Sequence, residues 1–102
     1  MKYQLVLQWP ASSLEDYDCM IEIEDLLIEQ LSDDSQVDGH DQGSGEVNIF
    51  ILTNAPERAF GDAKEILAAR GLLTRARVAF REVGGDEYTV LWPKGLKRFE
   101  VA

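Results

Sequence analysis

Four side chains close together in the sequence carry most of the conventional chemistry of this chain: Asp38, His40, Asp41 and Glu46, around the segment Gly39 to Gly45. A histidine flanked by carboxylates is one half of an acid/base device or part of an oxygen-rich metal site. The neighbouring charges favour its cationic form, whereas general-base duty needs the neutral ring. One histidine is also too few for a facial iron triad, and zinc ordinarily takes more nitrogen or sulfur ligands. The run Asp34–Glu46 lacks the ligand spacing of a calcium-binding helix-loop-helix. Ser44 stands between Gly43 and Gly45, not with a glycine two residues to either side on a strand-to-helix turn, so it is no nucleophile elbow. The same glycines precede no helix and lie among acids, which rules out a phosphate loop. Cys19 sits among carboxylates that make a thiolate costly and is read as a packing residue. No catalytic residue, metal site or cofactor is assigned, and the simplest role for His40 is a strand histidine hydrogen-bonded beside a hairpin turn.

The elements that position these residues follow from periodicity. Tyr3, Leu5, Leu7 and Trp9 alternate with Gln4, Val6 and Gln8, which predicts a half-buried strand ended by Pro10. Ser12 or Ser13, with Glu15 or Asp16 three residues on, predicts a capping box and a helix to about Leu31. Its apolar positions are read as Leu14, Tyr17, Met20, Ile21, Leu27, Ile28 and Leu31. Strands over Gln36–Gln42 and Glu46–Thr53 flank the Gly-Ser-Gly turn, the second apolar on both faces apart from Asn48 and therefore central. Thr53 or Asn54 caps a second helix that has Pro56 in its first turn and ends at Gly71. Strands over Arg75–Glu82 and Glu87–Trp92 complete the order, joined by a two-residue turn at Gly84-Gly85. That loop length opposes Arg81 to Tyr88, Ala79 to Val90 and Arg77 to Trp92. A short last strand from Phe99 is a further expectation.

This β-α-β-β-α-β order with an additional strand resembles the ferredoxin-like α+β sandwich over nearly the whole chain of 102 residues, read as one domain. The resemblance implies an antiparallel sheet covered on one face by two helices. The other face would then carry Tyr88, Val90, Trp92, Arg77 and Arg81 with Val6, Gln8 and Phe50. Two uses of that face are expected alternatives: a homodimer through the sheets, or a small-molecule pocket formed with the His40 loop from Asp38, His40, Asp41, Glu46, Phe50, Tyr88, Trp92, Arg77 and Arg81.

Charge is the strongest signal. The net charge is -9, and it is uneven: residues 1–56 hold 12 acids against the single base Lys2, while residues 57–102 hold 7 acids against 9 bases. Such a domain repels nucleic acid and anionic membranes and attracts basic proteins. No segment approaches the roughly 20 apolar residues that span a bilayer. One cysteine excludes an intrachain disulfide and makes the cytoplasm the default compartment. Within the first helix, Glu15, Asp18, Glu22, Asp25 and Glu29 recur at steps of 3, 4, 3 and 4 with no cation in the helix. Like charges at that spacing cost an exposed helix about 0.2–0.5 kcal/mol per pair. A face that serves only solubility is one explanation; a surface prepared for a basic protein partner, extended by Asp33–Asp41, is the other. In size, charge and lack of catalytic motif the chain resembles small acidic bacterial immunity and antitoxin proteins, which are non-catalytic.

Overall fold

The computed structural model describes residues 1–11 and 13–101. Strand β1 (Tyr3–Pro10), helix α1 (Leu14–Gln30), strands β2 (Ser35–Gly43) and β3 (Glu46–Thr53), helix α2 (Pro56–Ala69), a 3₁₀ turn at Leu73–Arg75, and strands β4 (Arg77–Glu82) and β5 (Thr89–Trp92) follow in order. The chain is an α+β protein with a five-stranded sheet in the order β2-β3-β1-β4-β5, antiparallel throughout. β1 lies in the middle, paired with β3 and β4, and β3 sits beside it.

Both helices pack on one face. Leu5 and Leu7 of β1, Ile49 and Ile51 of β3 and Val78 of β4 meet Met20, Ile23 and Leu27 of α1 and Ala63 and Leu67 of α2, all fully buried. α1 starts where the capping pattern places it. The Ser13 hydroxyl accepts from the Asp16 N–H at 3.1 Å, and the Asp16 carboxylate accepts from the Ser13 N–H at 3.3 Å. Ser12, the alternative cap, lies outside the described residues. Ser13→Ala should cost about 1 kcal/mol, read as a lowered thermal midpoint. α2 differs from expectation in that Ala55 occupies the cap position with no side-chain cap bond; Thr53 instead accepts from the Ala55 N–H through its hydroxyl at 2.9 Å.

The β4–β5 connection departs from a two-residue hairpin. Residues 83–88 form the loop, with a tight turn in which the Gly85 N–H donates to the Glu82 carbonyl, and β5 starts only at Thr89. The expected pairing of Ala79 with Val90 is present, as is Phe80 with Thr89. A register shift then pairs Trp92 with Val78 in place of Arg77. Leu91 is the extra residue of this bulge, and it turns Trp92 to the helix-covered face. There the Trp92 indole N–H donates to the Leu73 carbonyl at 2.9 Å, and its ring lies 4.8 Å from the Lys64 ammonium.

No strand forms at Phe99; the last described strand is β5. The C-terminal segment instead crosses the sheet face opposite the helices, where Phe99 packs with Val6 and Ala79 and its ring lies 5.0 Å from that of Tyr88. Buried Gln8 fastens the segment by donating through Nε2 to the Glu100 carbonyl at 2.8 Å and to Asn48 Oδ1 at 3.0 Å. The face expected to be open is thus partly covered by the chain itself. Phe99→Ala should destabilise the fold by about 1.5–3 kcal/mol, the worth of one buried large apolar side chain, as measured by urea unfolding.

Candidate docking surface on α1 and β2

The buried arc of α1 is Met20, Ile23 and Leu27. At 100° per residue the line Glu15, Asp18, Glu22, Asp25 and Glu29 falls on the opposite side of the helix, and all five residues are exposed. One of the five is neutralised from outside the helix: the Glu22 carboxylate accepts from the Arg70 guanidinium, just past the end of α2. Among the described residues the other four form no ion pair. The helix has no basic residue in its last turn, so Asp25 and Glu29 near its negative end are unrelieved by a cation.

The same phase corrects two apolar assignments. Leu14 and Ile28 are 77% and 64% exposed, whereas Ile23, absent from the expected stripe, is fully buried. Leu14, Ile21 and Ile28 recur every seven residues and form a separate line between the acidic stripe and the β2 side of the helix. Counting apolar residues at 3–4 spacing merges these two lines. Only the position of the sheet tells them apart.

His40 lies on the helix-covered side of β2, opposite Ile49 of β3. Its Nδ1 is 3.0 and 3.1 Å from the two carboxylate oxygens of Glu24, its Nε2 is 3.4 Å from the Tyr17 hydroxyl, and the Tyr17 ring meets it edge-on at 5.8 Å. Tyr17 and Glu24 stand seven residues apart on one side of α1, the spacing that could have pointed to this contact. The ring ties β2 to α1. The outer partner is a phenol, and these contacts hold the helix against the strand.

The nine residues of the expected pocket do not come together. Strand alternation puts His40 on the helix side and Phe50, paired with Val6, on the opposite face. Trp92 is turned to the helix side by the Leu91 bulge, while Tyr88 packs under Phe99. Arg81 is engaged locally, donating from Nε to Gln4 Oε1 at 3.1 Å and from NH1 to the Gly85 carbonyl at 3.0 Å, which anchors the β4–β5 loop. Arg77 and Glu46 share a shallow cavity of about 270 Å³ with Arg98 and Glu100 of the C-terminal segment. Asp38 and Asp41 are exposed on β2. Among the described residues no group of three His, Cys, Asp or Glu side chains is placed to hold a metal ion, and no helix is long and apolar enough to cross a membrane.

The chain matches no protein-family model, no curated protein and no solved structure at a significant level. The surface combines the α1 stripe with Asp33, Asp34, Asp38 and Asp41, and among the described residues the cations paired with these carboxylates are Arg70 on Glu22 and Arg58, 3.5 Å from Asp34.

Proposed function

We propose that this is a non-catalytic interaction protein that binds a basic protein partner through the outer face of α1, in the manner of immunity or antitoxin proteins, on a ferredoxin-like frame extended by β5. The observation that carries the reading is the exposed carboxylate line opposite the buried arc of α1, four of its five members without an ion pair among the described residues. A helix that repels itself along its whole length is a cost a solvated face does not require, since interleaved lysines confer solubility without it. Charge of one sign on one convex face accelerates capture of an oppositely charged partner and rejects acidic competitors. A cytoplasmic setting suits the single free thiol, Cys19.

The test is charge reversal at Asp18 and Asp25, leaving Glu22 to its contact with Arg70. Partners recovered by cross-linking to the unaltered chain are expected to be basic and to be lost from the Asp18→Lys/Asp25→Lys variant. Recovery of the same partners by both proteins would refute the reading.

A further inference from the structure

β2 ends the sheet, pairing with β3 on one side and, among the described residues, with no strand on the other. At nine residues it is the longest strand. The hairpin fixes which of its backbone groups are free. Ser44 and Gly45 adopt positive φ of 56° and 77° in a two-residue turn, so the pair Gly43 and Glu46 that closes it is hydrogen-bonded. Alternation back along the ladder makes Asp41 bond inward to Asn48, while His40 and Gln42 direct their N–H and C=O groups away from β3. Of the features that blunt natural edges, β2 carries the charged side chains Asp38 and Asp41 and a bulge between Val37 and Gly39 but no lysine or proline, so over His40–Gln42 the edge rejects acidic strands and stays open to basic ones.

Two features beside this edge describe what fits it. On the α1 side, exposed Ile28 joins Leu27, Leu31, Ser35, Gln36 and Val37 around a cavity of about 310 Å³. On the opposite face Asp41 is exposed, with Asp38 exposed at the bulge between Val37 and Gly39. A second copy of the chain would set these carboxylates against their own counterparts at a net charge of -9 each, which disfavours edge-to-edge self-pairing. A strand of alternating apolar and basic residues meets both requirements, its apolar side chains turned to Ile28 and its cations to Asp41 and Asp38.

We infer that the outer edge of β2 takes an extended, alternately basic and apolar segment of the partner as a sixth strand. This rests on the proposal that the partner is basic and adds to it the mode of docking. Two synthetic peptides of equal length and charge separate the two statements: an alternating Lys-Val-Arg-Val repeat, and the same repeat with proline for valine, which cannot donate along the edge. By fluorescence anisotropy the valine peptide should bind at least about tenfold more tightly than the proline peptide. It should also slow hydrogen exchange at the His40 and Gln42 amides of the unaltered chain. Gln42→Pro, which removes only an outward N–H, should erase the difference between the peptides. Equal binding of both peptides would overturn strand addition and leave the charge-reversal test standing. Binding of neither peptide would overturn it too, as would a dimer of the chain alone, seen by sedimentation and abolished by Gln42→Pro.

Discussion

Leu27→Ala is expected to remove about 2–5 kcal/mol of stability, while Ile28→Ala, its immediate neighbour, should change stability by less than about 0.5 kcal/mol. Leu27 is fully buried among residues of α1 and the sheet, and its truncation leaves a cavity that rigid strands on one side cannot close. Ile28 is largely exposed, so truncation there removes little that water does not already reach. A small domain has a stability of about 5–15 kcal/mol, so the first variant approaches the limit of folding. Urea denaturation checks the pair: the Leu27→Ala midpoint should fall well below that of Ile28→Ala with a similar slope. Equal midpoints would mean that α1 is rotated from the phase described above, and the carboxylate line would rotate with it.

The Asp18→Lys/Asp25→Lys variant is expected to move stability and binding in opposite directions. In the unaltered helix the pairs 15/18, 18/22, 22/25 and 25/29 are each repulsive at helical contact spacing. The two substitutions make all four attractive and leave Glu22 with Arg70. Each pair turns from repulsive to attractive by about 0.2–0.5 kcal/mol in each sense, so a gain of about 1.6–4 kcal/mol follows from typical pair energies. Asp18 lies beyond the first turn, so little dipole stabilisation is lost there. The same change takes the five-carboxylate line from five negative charges to a net of one. Affinity for a basic partner should fall on the order of 100-fold, because lysines at the centre of the charged face repel the cations they meet and association slows. A helix face evolved only for solubility would show the gain in stability with binding unchanged.

Much of this arrangement is legible in the sequence because it depends on local rules. The capping box at Ser13, a hairpin turn within Gly43-Ser44-Gly45, the boundaries of β3 and the exposure of the acidic line each follow from residues within a few positions of one another, although β2 runs on to Gly43 and leaves only Ser44-Gly45 in the turn. The residues that mislead are those whose environment is set from a distance. Ile28 and Leu27 look equivalent until the sheet fixes which arc of α1 is covered. Trp92 lies on the face opposite to the one simple alternation predicts, because one bulged residue, Leu91, inverts the side chain beyond it. Phe99 reads as a strand residue, yet Gln8 and Glu100, 92 positions apart, hold its segment across the sheet face. His40 draws attention for its flanking aspartates, whereas its contacts, Glu24 and Tyr17, come from the preceding helix.

The central claim is that the α1 carboxylates bind a cationic protein, and calorimetric titration of the cross-linked partner tests it most directly. The partner should bind the unaltered chain with an affinity that falls steeply as salt is raised, and bind Asp18→Lys/Asp25→Lys on the order of 100-fold more weakly with a flatter salt dependence. The same affinity and the same salt dependence for both proteins, with the variant folded and more stable, would contradict it.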